Sequence, residues 1–396
     1  MRIEEQLRII KKNTVDLLPE EELLEKLRKK KVLRIKYGAD PSRPDLHLGH
    51  YVCLKKLKDL QTLGHRIIFI VGDFTAMIGD PSGRSKTRPR LTEEEVKENA
   101  KTYFDQVFKV LDEKLTEVRY NSEWLAPLRA RDVIELAATY TVARMLERDD
   151  FEKRFKNGVP ISIHEFLYPL FQGYDSYAIK ADVEVGGTDQ KFNFMVGREV
   201  QKAFGQEPQV ILTVPLIEGT DGKLKMSKSY DNYIGITEPP NQIYGKVMSI
   251  PDELVVKYYK LVLYYDDVEL KKVEEEMKER PRDTKAKLAY EIVKLFWSQE
   301  DARRAEEEFN RVFREKGVPD EIPEYKITEK GIWIVELLAN SGLVSSRSEA
   351  RRLIKQRAVK LDDVVIDDES EIIKLESKEA ILRVGKRKFL KLVKSE

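Results

Sequence analysis

The sequence predicts a doubly wound α/β domain, followed by an all-helical domain and a small α+β domain at the end of the chain. Up to Pro240, short apolar runs of strand length alternate with segments of helical pattern. Such alternation is typical of a parallel sheet with helices on both faces. The run from Ile67 to Val71 is apolar without interruption, as expected of a strand that is buried on both faces.

The first domain is predicted to span residues 33–240, after a charged amphipathic segment of one or two helices at 1–32. Thr92 and Glu95 form a capping box that opens a helix. A helical insertion at about 120–165 contains small and apolar residues. The remaining predicted elements are strands at 33–38, 66–72, 181–185 and 209–214 and a helix at 47–63.

The pattern changes after Pro239-Pro240. Residues 241–316 are highly charged and helical in pattern, which predicts the all-helical domain. Residues 317–330 contain two prolines and are expected to form a linker. Residues 331–396 predict a short helix, a capped turn, a second helix and several short strands.

The composition excludes several classes of protein. No apolar run approaches the roughly 20 residues of a membrane span, and the N-terminus lacks the layout of a signal peptide. Cys53 is the only cysteine, so we expect no disulfide, no cysteine-built zinc site and a cytoplasmic location. Charged residues make up 36% of the chain but cancel to a net charge of +1, so any nucleic-acid contact needs a local basic patch.

Two short motifs carry the chemistry. His47-Leu48-Gly49-His50 opens a predicted helix, and Lys225-Met226-Ser227-Lys228-Ser229 lies in a loop rich in glycine and lysine. Imidazoles and a helix N-terminus can donate to phosphate oxygens, and lysines can neutralise a departing pyrophosphate. A single histidine or loop lysine is more often an ordinary surface residue. Two of the chain's 4 histidines fall in one motif, however, so a catalytic role is favoured for His47, His50, Lys225 and Lys228.

The two motifs resemble the signatures of the class I aminoacyl-tRNA synthetases, His-x-Gly-His and Lys-Met-Ser-Lys-Ser. The second is unaltered, and the first has Leu48 where isoleucine is commonest. The resemblance implies a Rossmann-like catalytic domain and in-line attack of an amino-acid carboxylate on ATP. It implies Mg²⁺ carried with the ATP and no dedicated metal site on the protein. The ATP-binding residues that it implies are Gly38, Ser42, Gly49, Gly187, Asp189, Met226, Ser227 and Lys228.

A second set of residues narrows the resemblance. Tyr168, Gln172 and Asp175 are spaced i, i+4, i+7, so one helix face presents all three. The alternative is part of a core stripe, but glutamine and aspartate are costly to bury unpaired. With Val185-Gly186-Gly187-Thr188-Asp189-Gln190, this set resembles the tyrosyl-tRNA synthetases, and the likeness covers essentially the whole chain.

That likeness implies roles in binding tyrosine. Asp175 would accept a hydrogen bond from the substrate phenol, and Tyr168, Gln172 and Asp80 would surround its ammonium group. Many bacterial relatives place a tyrosine where this chain has Lys36, which resembles a second bacterial branch and makes Lys36 a candidate partner at the phenol. The tyrosine-binding residues so implied are Lys36, Asp40, Asp80, Tyr168, Gln172, Asp175 and Gln190.

The last domain resembles the S4-like RNA-binding domain. Arg347, Arg351 and Lys355 are spaced i, i+4, i+8 and predict a basic ridge on one helix face, of the kind that grips phosphates. A solvated helix face is the alternative. The candidate RNA-binding residues are Arg347, Arg351, Arg352, Lys355, Arg357 and Lys360. By the resemblance, this domain holds the long variable arm of tRNA(Tyr), and the helical domain approaches the anticodon.

The resemblance implies a tyrosine–tRNA ligase with tyrosine, ATP and tRNA(Tyr) as partners, and the composition predicts no membrane contact. The resemblance implies a homodimer, for which the insertion at about 120–165 offers an interface; ordinary helix packing explains that segment equally well. Two alternatives stay open at this point. One is a tryptophanyl enzyme of the same fold, and the other is a non-catalytic RNA-binding relative.

Overall fold

The structure is a computed structural model that describes residues 1–41, 45–82, 92–314, 322–328, 331–362, 364–375, 379–385 and 388–394. The chain divides into two compact units, Met1–Ala302 and Arg303–Glu396. The strands are β1 Asp16–Leu18, β2 Arg34–Ala39, β3 Arg66–Val71, β4 Thr116–Tyr120, β5 Val183–Gly187, β6 Val210–Val214, β7 Glu324–Ile327, β8 Ile332–Trp333, β9 Val359–Leu361, β10 Val364–Ile366, β11 Ile372–Ile373, β12 Glu379–Val384 and β13 Lys388–Lys394.

The helices complete the list of elements. They are α1 Ile3–Lys11, α2 Glu20–Lys29, α3 Leu48–Thr62, α4 Asp73–Ala76, α5 Glu93–Lys101, α6 Tyr103–Val107, α7 Ser122–Leu125, α8 Ala130–Ala137, α9 Val142–Met145, α10 Asp149–Lys156, α11 Ile163–Ala178, α12 Lys191–Ala203, α13 Pro240–Ser249, α14 Val255–Leu261, α15 Asp267–Glu279, α16 Pro281–Phe296, α17 Gln299–Arg314, α18 Ile334–Asn340 and α19 Arg347–Lys355.

The first unit contains the doubly wound sheet that the sequence predicts. Its six strands lie in the order β1-β6-β5-β2-β3-β4, and all neighbours are parallel except the edge pair of β1 and β6. The chain runs outward from β2 to β4 and then returns to the other side of β2 as β5. Ligands of such sheets bind at the carboxyl ends of the strands where the order reverses, here between β2 and β5.

The elements that surround this point agree closely with prediction. The predicted strands and the helix at 47–63 end within two residues of β2, β3, β5, β6 and α3. The structure adds two strands that the sequence analysis missed. β1 lies in the segment expected to be helical, and β4, with the sequence Thr-Glu-Val-Arg-Tyr, carries too many charges to stand out.

The helices α13–α16 belong to the same compact unit as the sheet. They pack around the buried side chains of Tyr258, Tyr259, Leu288 and Ile292. The proposed boundaries at 33–240, 241–316 and 331–396 stay predictions. Among the described residues, no helix is both long and apolar enough to span a lipid bilayer.

The second unit contains a five-stranded sheet in the order β10-β9-β12-β13-β7 and a two-stranded sheet of β11 and β8. The helices α18 and α19 pack with these strands around one apolar core. The linker predicted at 317–330 is wrong at Glu324–Ile327, because these residues form β7 and pair in parallel with β13. Their order of Glu, Tyr, Lys and Ile alternates in polarity, a signal of a strand that the nearby prolines obscured. Residues 315–321 and 329–330 of that segment lie outside the described residues.

Candidate active site

A pocket of about 290 Å³ opens at the carboxyl ends of β2 and β5, where the strand order reverses. Both sequence motifs face it, although almost half the chain separates them. Of the residues expected at the site, those that line the pocket are Lys36, Gly38, Asp40, His47, Gly49, His50, Asp80, Tyr168, Gln172, Asp175, Gly187, Asp189, Gln190, Lys225, Met226, Ser227 and Lys228. Ser42 lies outside the described residues.

The two histidines form the cap of α3. His47 is the N-cap residue, and its Nδ1 accepts a hydrogen bond from the backbone N–H of Gly49 at 3.1 Å. The Nδ1 of His50 accepts the backbone N–H of His47 at 3.2 Å. Because both Nδ1 atoms are acceptors, a neutral ring in either position carries its proton on Nε2. A side chain at Gly49 would collide with the His47 ring, since its Cβ would lie 2.9 Å from Cε1.

Both imidazoles are neutral at neutral pH. Burial and, to a smaller extent, the charge of Lys228 together lower the pKa of His50 to about 3. Burial and the neighbouring His50 also hold the pKa of His47 well below its usual value. The ring centroids are 3.9 Å apart. The pair therefore presents uncharged N–H donors, which suit the oxygens of a polyphosphate and add no positive charge of their own.

Lys225 is paired with a residue that the sequence assigns to the same ligand. Its Nζ lies 2.6 Å from Oδ2 of Asp189, and both side chains are only part-buried. Asp189 follows the end of β5 in a short 3-10 turn, Thr188–Gln190. A Cβ at Gly187 would lie 2.7 Å from Oδ1 of Asp189, so only glycine lets this carboxylate fold back over the strand end.

Asp175 also lines the pocket and is buried on α11. Nε1 of Trp124 donates to its Oδ1 at 2.7 Å, and Nδ2 of Asn121 donates to its Oδ2 at 3.3 Å. Burial raises the pKa of Asp175 to about 7, against the lowering effect of the Lys36 charge and of these two hydrogen bonds; Glu184 adds to the increase. This carboxyl group is thus poised between its two protonation states at neutral pH.

A chain of hydrogen bonds connects this carboxylate to Asp40, the residue that follows strand β2. Nδ2 of Asn121 also donates to Oγ1 of Thr75 at 2.9 Å, and Thr75 donates to Oδ1 of Asp40 at 2.8 Å. The phenol of Tyr168 donates to the other oxygen of Asp40 at 2.8 Å. One network therefore holds two carboxylates and a tyrosine that the sequence assigned to amino-acid binding.

A second polar group surrounds Asp80. Nε2 of Gln190 donates to Oδ2 of Asp80 at 2.8 Å, and Arg148 lies 3.8 Å from the other carboxylate oxygen. Nδ2 of Asn193 bridges Gln172 and Gln190, at 2.9 and 3.0 Å. Burial would raise the pKa of Asp80, but the Arg148 charge and the hydrogen bonds outweigh it and lower the pKa. Asp80 is therefore an anion suited to an ammonium group.

Lys36 does not have the place expected of it. Its side chain is fully buried, and its Nζ donates to the Gln172 carbonyl at 2.6 Å and to Oγ of Ser176 at 2.8 Å. The third bond is an ion pair with Glu184 at 2.8 Å. An ammonium group has three N–H donors, so none is left for a substrate phenol. A role for Lys36 beside Asp175 at the phenol stays a prediction, which these three bonds do not favour.

The sequence analysis missed the residues that hold Asp175 and its neighbours. Thr75 and Asn121 follow the carboxyl ends of β3 and β4, where functional side chains of such sheets collect. Recognition of β4 as a strand would have pointed to Asn121. Nothing in the sequence pattern marks Trp124 or Asn193. Among the described residues, there is no group of three or more His, Cys, Asp or Glu side chains placed to hold a metal ion.

The candidate RNA-binding residues are exposed, apart from the half-buried Lys360, and their ion pairs are long. Ser346 caps α19, whose face carries Arg347, Arg351 and Lys355. The ion pairs Arg347–Glu336, Arg352–Glu349, Lys355–Glu369 and Arg357–Asp367 measure 3.4 to 3.8 Å. Pairs between exposed side chains contribute little and exchange readily for other anions. Lys360 lies opposite Arg383 on the neighbouring strand β12.

Comparison with known proteins assigns the family. The model of the class I tRNA synthetases (W and Y) matches residues 28–314, and the S4 domain matches 332–378. The tyrosine–tRNA ligase of Thermotoga maritima is 56% identical over 99% of this chain and 98% of its own length. That of Aquifex aeolicus is 53% identical over 99% of this chain and 100% of its own.

A solved structure agrees with these relatives. The tyrosyl-tRNA synthetase of Archaeoglobus fulgidus, complexed with L-tyrosine, superposes with a TM-score of 0.64 at 27% identity, covering 77% of this chain and 100% of that one. The family model covers most of the chain, and the curated relatives match it nearly end to end at more than half identity. The chain therefore belongs to the tyrosine–tRNA ligase family of the class I tRNA synthetases, with an S4 domain near its C-terminus.

Proposed function

We propose that the pocket activates tyrosine with ATP to give tyrosyl-adenylate and pyrophosphate, and that the chain then transfers tyrosine to the 3′ end of tRNA(Tyr). One observation carries the proposal. The imidazole pair of α3, the lysine loop and the buried Asp175 all face a single pocket at the reversal point of the sheet. The pocket thus offers hydrogen-bond donors for phosphate oxygens at one end and a hydrogen-bond acceptor for a phenol at the other.

The chemistry needs positioning and charge stabilisation rather than a covalent enzyme intermediate. The tyrosine carboxylate attacks the α-phosphorus, and the bond to the bridging oxygen of pyrophosphate breaks. The Nε2–H groups of His47 and His50 donate to phosphate oxygens as negative charge moves towards the leaving group. Lys225 and Lys228 neutralise that charge. Mg²⁺ carried with ATP would supply further positive charge to the same chemistry.

ATP has to break the ion pair between Lys225 and Asp189 when it binds. Asp189 is proposed to accept hydrogen bonds from the ribose hydroxyls, and Lys225 to contact the phosphates. Both groups are bonded to each other at 2.6 Å in this structure, so ATP must replace the pair with its own contacts. Met226 and Ser227 line the same wall, and Gly38 leaves open space where a Cβ would stand.

Selection of tyrosine rests on Asp175. With Trp124 and Asn121 fixing both oxygens, the carboxylate has a defined direction in which to accept the phenol O–H. Phenylalanine would leave this buried acceptor without its partner, an effect for which tyrosyl-tRNA synthetases are themselves the standard case. Asp80, Tyr168, Gln172 and Gln190 are proposed to surround the ammonium group, with Asp40 orienting Tyr168.

We also propose that the protein is a homodimer. The insertion contains large apolar side chains that are exposed in the single chain: Ile134 at 69%, Val142 at 62%, Phe155 at 65% and Ile163 at 75%. Side chains of this kind are typical of a protein interface. Light scattering should give twice the 46.1 kDa chain mass, and Ile134→Glu with Ile163→Glu should give the single-chain mass. A monomeric unaltered protein would contradict this interface.

The second unit is proposed to bind tRNA(Tyr), and the helices α13–α16 to approach its anticodon. The exposed basic residues of α19 support an RNA-binding face, since their ion pairs are weak enough to be replaced by phosphates. Removal of residues 331–396 should therefore spare adenylate formation but impair tRNA charging. Unchanged charging kinetics at moderate salt would contradict this role. The family's work in protein synthesis supports a cytoplasmic location.

Pyrophosphate exchange into ATP tests the activity directly. Exchange that depends on tyrosine, and not on tryptophan or phenylalanine, is the expected result. Dependence on tryptophan would instead identify the other amino acid that the family model includes. Absence of exchange with all three, in a protein that still binds tRNA, would support a non-catalytic RNA-binding role.

A further inference from the structure

Asn232 lies just behind the lysine loop and does not line the pocket. Its side chain is 2% exposed, and it comes four residues after Lys228. Buried carboxamides require hydrogen-bond partners for both their oxygen and their nitrogen. Here every partner of the side chain belongs to residues 221–227, the signature loop.

The carboxamide of Asn232 binds the signature loop at four points. Its Oδ1 accepts the backbone N–H of Ser227 at 2.8 Å. Its Nδ2 donates to Oδ1 of Asp221 at 3.1 Å and to the carbonyls of Leu224 and Lys225, each at 3.3 Å. The contacts thus fall on both sides of Met226 and fix the backbone of Lys225 itself.

The backbone of Asn232 closes the same loop at its base. Its carbonyl accepts the N–H of Thr220 at 2.8 Å. A Cβ at Gly219 would lie 2.2 Å from this carbonyl oxygen and 2.3 Å from Cγ of Asn232, so residue 219 has to be glycine for the two segments to meet. Asn232 therefore closes the loop together with two backbone bonds, from the N–H of Gly219 to the Leu224 carbonyl and from the N–H of Met226 to the Ile217 carbonyl.

The chain that follows Asn232 leads directly to the histidine motif. The N–H of Leu48 donates to the Ile234 carbonyl at 3.0 Å, and the N–H of Ile236 donates to the Leu46 carbonyl at 3.0 Å. Between these two bonds, His47 and Gly235 form an antiparallel bridge. The segment that begins at Asn232 is therefore held by backbone bonds to the residues on either side of His47, which caps α3.

We propose that Asn232 is a positioning residue for the adenylation step: its carboxamide holds the signature loop in register with the His47 segment, so that Lys225 and Lys228 meet the phosphates that the histidines bind. This inference rests on the proposed function of the pocket. Asn232 touches no substrate. It acts through the backbone of the lysines, and its removal changes where they stand.

Substitution of Asn232 tests the role through a split between the two substrates. Asn232→Ala removes all four side-chain bonds, and Asn232→Asp keeps the acceptor for Ser227 while turning a negative oxygen towards the Asp221 carboxylate and two carbonyls. In tyrosine-dependent exchange, both variants should lower kcat/KM for ATP by at least about tenfold, because catalysis depends steeply on the placement of charged groups. Equilibrium binding of tyrosine should change by less than about twofold, because Asp175 and its partners are untouched.

A second pair of variants tests the same contact from the side of Gly219. Gly219→Ala places a methyl group against Asn232 and should reproduce the loss in kcat/KM for ATP. Gly245→Ala is the matched control, because its Cβ would meet no atom within 4 Å in helix α13. Trypsin cleavage at the loop lysines, measured without ligands, should become faster in the Gly219 and Asn232 variants and stay unchanged in the control.

The outcomes separate the two levels of the inference. If the unaltered protein shows no tyrosine-dependent exchange, the proposed function fails. If it exchanges normally and folded Asn232→Ala and Gly219→Ala proteins match it in kcat/KM for ATP, only the positioning role fails. Equal losses in tyrosine binding and in ATP kinetics would indicate a general structural role and would also overturn the proposal.

Discussion

The two ends of the pocket are built in different ways. At the amino-acid end, Asp175 is 4% exposed and both of its oxygens accept hydrogen bonds from the protein. At the phosphate end, the side chain of Lys225 is 32% exposed and forms an ion pair with Asp189, on a loop that Asn232 helps to close. A buried network has one geometry and selects a substrate, whereas part-exposed lysines can change partners as charge moves. Within one site, a buried hydrogen-bond network therefore selects the amino acid, and part-exposed lysines stabilise the charge that develops on the phosphates.

The largest effect is expected where the buried network is broken outright. Lys36→Met leaves the buried Glu184 with hydrogen bonds from Gln172 and Gln209 but without its cation, and breaking such a pair costs about 3–5 kcal/mol of unfolding free energy. Urea unfolding measures it. Lys29→Met is the matched control, because its pair with Glu25 is exposed and should contribute less than about 1 kcal/mol. Equal losses for the two lysines would remove the distinction drawn between buried and exposed charges.

The phosphate end is tested by Lys228→Ala. Loss of one charge at the leaving pyrophosphate should lower kcat for exchange by about 10²–10³-fold, as does removal of a single donor aimed at developing charge elsewhere. Tyrosine affinity, measured by equilibrium dialysis, should stay within about twofold. A clear weakening of tyrosine binding would contradict the assignment of Lys228 to the phosphate end of the pocket.

The amino-acid end is tested by Asp175→Asn. The amide turns an N–H group towards the donors of Trp124 or Asn121 and removes a charged acceptor, so kcat/KM for tyrosine should fall by about 10–100-fold. The preference for tyrosine over phenylalanine should fall with it, while KM for ATP stays nearly constant. A selective rise in KM for ATP would show that the two ends are not independent.

The pH profile distinguishes the ends without any substitution. Burial raises the pKa of Asp175 to about 7, so the acceptor is protonated below that pH and ionised above it. kcat/KM for tyrosine should therefore rise up to about pH 7 and then level off, with a loss of about tenfold at one unit below the midpoint. The histidines add no step there, since the pKa of His50 is about 3 and that of His47 is also far below its usual value. Trp124→Phe removes a bond that lowers the pKa of Asp175, so the midpoint should move to higher pH.

The smallest effect is expected at the surface of the second unit. Arg351→Gln removes one exposed charge from α19 and should weaken tRNA binding only severalfold. The slope of log affinity against log salt should decrease in magnitude by about 1, the value for one phosphate contact. Exchange of pyrophosphate should not change. Lys29→Gln on the other unit serves as the control for a general charge effect. An unchanged salt slope would separate Arg351 from the RNA.

The sequence predicted the elements and motifs that depend on local order. The apolar run of β3 and the capped start of α3 are properties of adjacent residues, and both were found. Contacts between distant residues were not. Lys36 and Glu184 are paired in the register of β2 and β5, but β5 is the neighbour of β2 only because the chain returns across the sheet. Without that strand order, Lys36 was assigned to the substrate instead of to Glu184.

The residues that hold Asp175 were missed for a related reason. β4 is an edge strand with charged positions, so its end was not recognised, and the polar residue Asn121 after it was not considered. Asp40 was predicted, but its bonds to Thr75 and Tyr168 join three elements that lie far apart in the chain. Sequence patterns give the candidates for a site, and the topology decides which of them meet.

His47 has two roles, as the N-cap of α3 and as a ring N–H donor, and replacement by serine or aspartate would preserve only the first. As the N-cap of α3 it occupies a position where serine or aspartate would usually give a more stable helix start. Either replacement would discard the ring N–H that faces the pocket. A substitution that raises thermal stability at this position would therefore remove a hydrogen-bond donor to phosphate. Stability screens of this family should leave the residue unchanged.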